Sequence, residues 1–127
     1  MNILVLGSGG REHSIALAVH KSPQCSKLLC APGNPGMATI AKCIPISLTD
    51  PQAMANLAEQ EQIDLTVVGP EIPLVAGVVD EFQKRGLLIF GPTAKAAALE
   101  GSKAFSKAIM KRYGVPTAAF ESFTDLD

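Results

Sequence analysis

Charge of one sign is what this 127-residue chain lacks most, since eleven Lys and Arg stand against twelve Asp and Glu for a formal net charge of -1. Without a global positive field nothing gathers nucleic acid or an anionic membrane by counterion release, so neither is an expected partner, and only a local anion site stays open. Cysteine is scarce as well. Cys25, Cys30 and Cys43 are odd in number and show no C-x-x-C pairing, which suits plain thiols in a reducing compartment better than a disulfide framework or a zinc site. Long hydrophobic runs are missing: Ile3 to Leu6 and Gly86 to Phe90 fall far short of the roughly 20 residues that span a bilayer. The opening Met1-Asn2-Ile3-Leu4-Val5-Leu6-Gly7 has neither the basic segment nor the small-residue cleavage site of a secretory signal, and a cytoplasmic location is the expectation. Aromatics are only 5% of the chain, but apolar residues reach 47% and charged residues 18%, a mix too hydrophobic for disorder and sufficient for one real core.

That apolar content is organised. Short Leu-, Ile- and Val-rich runs recur at Asn2 to Leu6, Lys27 to Ala31, Lys42 to Ile46, Asp64 to Gly69 and Gly86 to Phe90, continuous rather than alternating, as strands buried on both faces of a parallel sheet require. Between them Ile15, Ala18 and Val19, then Met54, Leu57 and Ala58, then Leu74, Val75, Val78, Val79 and Phe82 recur at helical spacing. Asp50-Pro51 reads as an N-cap followed by proline at the first helical position, and Gly86 after Lys84-Arg85 as a helix stop. The spacing predicts an α/β fold, a Rossmann-like parallel sheet of about five strands flanked by helices. Helices are expected from Thr93 to about Glu100 and from Ser102 to about Tyr113, then a strand from Thr117 to Phe123 with no partner in view, so the C-terminus reads as cut rather than finished.

Ligands in such sheets bind outside the carboxyl ends of the strands, and three Gly/Pro loops fall there. Gly7-Ser8-Gly9-Gly10-Arg11-Glu12-His13 follows the first run and opens a helix; it either binds an anion on free N–H groups or simply makes a tight turn. Measured against the dinucleotide fingerprint G-x-G-x-x-G, it carries Glu12 at the third position, and no ribose-binding carboxylate follows the second strand. Ala31-Pro32-Gly33-Asn34-Pro35-Gly36 follows the second run and Gly69-Pro70-Glu71-Ile72-Pro73-Leu74 the fourth. These are rigid turns on one reading; on the other, Asn34 and Glu71 hydrogen-bond sugar hydroxyls or an amine. Arg11 either pairs a phosphate or makes a solvated surface pair with Glu12. His13 is a polar contact beside the glycine loop or a core imidazole, and its spacing of seven from His20 is wrong for a metal pair. Lys103, Lys107 and Lys111, four apart, read as a solvated helix face, with Lys103 the exception.

With these residues assembled, the chain resembles the amino-terminal part of the glycinamide ribonucleotide synthetase (phosphoribosylamine:glycine ligase) family of ATP-grasp enzymes in purine synthesis. The resemblance spans the chain and rests on Leu6 to His13, Pro32 to Gly36, Val68 to Leu74, Phe90-Gly91-Pro92 and Gly101 to Lys107. It implies that residues 1-100 form the N-domain preceding the ATP-grasp unit and that residues 101-127 begin the truncated region beyond it. It implies further that Gly9, Gly10, Arg11, His13, Asn34, Pro35, Gly36, Gly69, Pro70 and Glu71 line the phosphoribosylamine side, with Glu71 on ribose hydroxyls, and that Lys103 contacts nucleotide phosphates. The family joins glycine to phosphoribosylamine through an acyl phosphate made with ATP and Mg2+. The carboxylates that hold the metal are expected in the missing ATP-grasp subdomains, and this piece alone is expected to be inactive. The alternative is a stand-alone module that binds a sugar phosphate or dinucleotide without chemistry.

Overall fold

The computed structural model describes residues 1–121 and 123. Five parallel strands, β1 (Asn2–Gly7), β2 (Lys27–Pro32), β3 (Lys42–Cys43), β4 (Leu65–Val68) and β5 (Ile89–Phe90), make one sheet in the order β3-β2-β1-β4-β5. The expected continuous runs are there because the three inner strands are covered on both sides. Along β1 the side chains alternate between two cores: Leu4 and Leu6 join one, Ile3 and Val5 the other. The two edge strands are shorter than their apolar runs predict, since each has a single neighbour to pair with. Ile44 and Ile46, beyond the end of β3, pack against the larger core instead.

The faces are covered unequally. On one side lie α1 (Gly10–His20) and a 3-10 turn at Met37–Thr39, contributing Ala16 and Met37. On the other lie α2 (Pro51–Gln60), α3 (Glu71–Val75), α4 (Val78–Lys84) and α5 (Ala94–Gly101), which bring in Met54, Ala58, Leu74, Val78, Val79, Phe82 and Ala97. Asp50 caps α2 as expected, its Oδ1 accepting the Ala53 N–H at 3.0 Å. The single helix expected over Leu74 to Phe82 is two. Gly77 at φ 93 turns the chain between α3 and α4 in a conformation that L-residues avoid, and Val75, assigned to the buried face, is exposed.

Cys30 is fully buried in β2, where burial first and the neighbouring Cys43 second push its thiol up to about 12. Glu61 ties the β2 and β3 ends together by accepting from Lys27 and Lys42, and the bonds to Lys42 and then Lys27 hold its carboxyl below the ordinary value. Thr66 of β4 is wholly buried, and its Oγ1 has no hydrogen-bond partner among the described residues. Thr66→Val keeps the shape and removes the unpaired hydroxyl, so it is expected to raise stability by about 1 kcal/mol, seen as a higher urea midpoint with the slope unchanged.

After α6 (Lys103–Arg112) the strand expected from Thr117 to Phe123 is absent at 117–121 and 123; Ser122 lies outside the described residues. The segment lies against α6 instead. Lys107 Nζ donates to Thr117 Oγ1 at 2.6 Å and to the Ala118 carbonyl at 3.1 Å and sits 5.6 Å from the centre of the Phe120 ring. No helix among the described residues is long and apolar enough to cross a membrane.

Candidate functional site

The carboxyl ends of β2, β1 and β4 are adjacent in the sheet, so the three Gly/Pro loops that follow them meet at one edge. Their backbones are stitched: the Gly33 N–H donates to the Gly7 carbonyl at 3.2 Å and the Gly69 N–H to the Leu6 carbonyl at 3.1 Å. Asn34 adds a side-chain clasp, donating from Nδ2 to the Ser8 carbonyl at 2.8 Å while its Oδ1 accepts the Met37 N–H at 2.9 Å. One polar atom thus bridges the first and second loops and the other braces the turn that follows Asn34. His13, half-buried on α1, lies against Gly36, where an added Cβ would stand 2.5 Å from its Cε1. Pro35 is exposed at the same edge, and His20 is on the open surface at the far end of α1.

Glu12 decides against the solvated-pair reading, although it does pair with Arg11. Rather than a solvated partner of Arg11, it is 4% exposed, reaching back from the first turn of α1 so that Oε2 accepts the Gly9 N–H at 2.8 Å. This is one half of a capping box, three residues after the N-cap Gly9, and that spacing was the signal available in the sequence. Its Oε1 takes the Arg11 Nε at 2.9 Å. The carboxylate occupies the space that side chains at Gly7, Gly9 and Gly69 would need; at Gly7, with φ 126, a Cβ would stand 2.5 Å from Glu12 Cγ and 2.8 Å from Pro70 Cδ. The first and third loops therefore close around one acidic side chain.

Arg11 itself is more than half exposed. Its guanidinium is held above its ordinary pKa chiefly by the Glu12 hydrogen bond, with the fields of Glu12, Glu100 and Glu71 adding and desolvation opposing. Glu71 opens α3 and is exposed; with Thr49, Ile72, Val75, Ala76 and Gly101 it lines a shallow depression of about 450 Å³. The edge thus offers the exposed Arg11, the carboxylates of Glu12, Glu71 and Glu100 whose fields reach it, and an Asn–Ser–His rim.

Lys103 sits apart from these loops, exposed at the start of α6, whose N-cap Ser102 accepts the Phe105 N–H at 3.3 Å. With Glu100, Ser106, Lys107 and Met110 it borders a depression of about 350 Å³. Among the described residues no three His, Cys, Asp or Glu side chains gather as metal ligands.

Comparison with known proteins agrees with this architecture. The sequence profile described as "Phosphoribosylglycinamide synthetase, N domain" matches residues 1–100. The chain is 55% identical over 129 aligned residues to the phosphoribosylamine–glycine ligase of Xanthomonas campestris and 54% identical to that of Pseudomonas aeruginosa, in each case with 100% of this chain and 30% of the relative covered. It therefore spans about 30% of the length of these relatives. Among solved structures, the phosphoribosylamine–glycine ligase of Thermotoga maritima superposes with a TM-score of 0.65 at 31% identity, over 95% of this chain and 27% of that one. The N5-carboxyaminoimidazole ribonucleotide synthetase of Thermus thermophilus superposes at 0.67 and 24% identity, over 91% and 31%, a likeness of fold. The chain belongs to the phosphoribosylglycinamide synthetase N-domain family.

Proposed function

We propose that this chain serves as the substrate-holding N-domain of a cytoplasmic phosphoribosylamine–glycine ligase, with the loop edge facing phosphoribosylamine. The observation that carries the proposal is the meeting of three stitched loops at the carboxyl ends of β2, β1 and β4, with Arg11 as the exposed cation among them. A phosphorylated aminosugar needs a cation for its phosphate and acceptors for its hydroxyls and amine. Arg11 and the N–H groups of Gly10 and Arg11 at the start of α1 supply the first, and Glu71 the second. Asn34, Pro35, Gly36 and His13 form one wall, and Gly9, Gly69 and Pro70 the floor. Residues 1-100 are the N-domain on this reading, and 101-127 lead toward the ATP-grasp unit, where Lys103 faces nucleotide phosphates. ATP, bound with Mg2+ in the remainder of the ligase, supplies the phosphorylation of glycine's carboxylate; this chain binds and orients the amine that attacks it.

A dinucleotide is the poorer fit, because Glu12 already holds the Gly9 N–H that an incoming pyrophosphate would use and puts a negative charge beneath it. Titration calorimetry with glycinamide ribonucleotide, the stable product, is expected to show binding where NADH shows none, and Glu71→Ala is expected to weaken it about tenfold through the loss of charge-assisted bonds to the sugar. Preferential NADH binding, or an affinity indifferent to Glu71→Ala, contradicts the proposal.

A further inference from the structure

We infer that Glu12 is a positioning residue for this edge: its buried carboxylate fixes the Arg11 guanidinium and the Gly9 loop so that the cation meets the substrate's phosphate in one orientation. The inference rests on the substrate-edge reading above. A carboxylate is rarely buried unless it is paired, and Glu12 has a separate partner on each oxygen, the Gly9 N–H at 2.8 Å and Arg11 Nε at 2.9 Å. Arg11, more than half exposed, has no other hydrogen bond among the described residues, so Glu12 is what limits a long and flexible side chain. The bond engages Nε and leaves Nη1 and Nη2 without partners among the described residues. Those two nitrogens form the outer fork that grips a phosphate or carboxylate bidentately. The same carboxylate fills the space against Gly7, Gly9 and Gly69, so the cation's position is referred to the ends of both β1 and β4, the two strands whose loops carry Arg11 and Glu71.

The test belongs in the full-length ligase that contains this chain. Glu12→Gln keeps the shape and an acceptor for Gly9 but removes the charge that holds Arg11. It is expected to raise KM for phosphoribosylamine about tenfold, with kcat and the KM values for ATP and glycine nearly unchanged. Arg11→Gln is expected to raise the same KM, and the double variant to be no worse than Arg11→Gln alone, because Glu12 acts through Arg11. An unchanged KM in Glu12→Gln, additive effects, or a uniform loss across all three substrates overturns the inference and leaves Glu12 a purely structural group. If Glu12→Gln does not fold, Glu12→Asp, one methylene too short to reach both partners, is held to the same coupling criterion. The underlying reading has its own outcome: if Arg11→Gln and Glu71→Ala both leave KM for phosphoribosylamine unchanged, the edge is not the substrate site. If both raise it while Glu12→Gln does not, only the positioning role fails.

Discussion

Phe82→Ala is expected to destabilise the chain by about 4 kcal/mol, a large part of the roughly 5–15 kcal/mol by which a domain is folded. Phe82 is the largest of the fully buried side chains, and it reaches from α4 into the core shared by Leu4 and Leu6 of β1, Met54 of α2 and Val79. Its removal leaves a cavity walled by strands on one side and α2 on the other, elements too rigidly paired to collapse into it. The cost therefore includes the cavity as well as the lost transfer of the ring. The control is Phe105→Ala, the same chemical change in α6, a helix with no buried residue, where the ring is 44% exposed. There the expected change is about 0.5 kcal/mol or less. Urea unfolding of both variants decides the matter, and similar midpoints would show that α6 is packed against something more than α5.

Periodicity made the sheet legible, because parallel strands covered on both faces leave an unbroken apolar trace, and all five runs became strands. It failed where the helix faces are mixed. On α1 the inward face begins with Glu12 and continues one turn later at Ala16, while Ala18, chosen for its apolar character, is exposed. A search for apolar residues at helical spacing passes over a carboxylate that is buried because the glycine loop supplies its partner. The break at Gly77 was written in the chain, but the apolar spacing of Leu74, Val75, Val78, Val79 and Phe82 carries straight across it. The strand expected at Thr117 does not form at 117–121 or 123, because the bonds of Lys107 hold that stretch against α6.

The candidate site was legible as loops but not as contacts. The Gly/Pro signatures put three loops at strand carboxyl ends, and the order β2-β1-β4 makes them neighbours, an order no local pattern contains. Asn34 reads from sequence as a turn residue or as a sugar ligand, and in the structure its amide donates to Ser8 and its carbonyl accepts from Met37. That bracing role is available to any Asn in a turn and is invisible without the partner loop. At Gly69 the missing side chain leaves the space that Glu12 fills.

Gly69→Ala is accordingly expected to cost about 3 kcal/mol, at the upper end of the usual overpacking penalty, although the backbone there is unstrained for alanine. The added methyl would collide with Glu12 Oε1, Cγ and Cδ, and the buried side chain cannot move aside without giving up its partners. Either β4 and its loop shift away from β1, or the carboxylate swings out, breaks its bond to the Gly9 N–H and abandons Arg11. A second substitution separates this contact from a general intolerance of the loop. Glu12→Ala empties the space, so the loss in the double variant Gly69→Ala, Glu12→Ala is expected to fall well below the sum of the two single losses, with a coupling of about 1 kcal/mol or more. Gly10→Ala is the counterpart, since nothing lies within 4 Å of a Cβ at that position. At the first position of α1 it is expected to be neutral or stabilising by about 0.5 kcal/mol, through the loss of freedom in the unfolded chain. Strict additivity in the double variant, measured by urea unfolding, would assign the cost at Gly69 to the backbone. A loss at Gly10 equal to that at Gly69 would show that the glycines are needed for flexibility. The expected pattern of large, rescued and neutral shows instead that the first and third loops are fitted to the volume of one buried carboxylate.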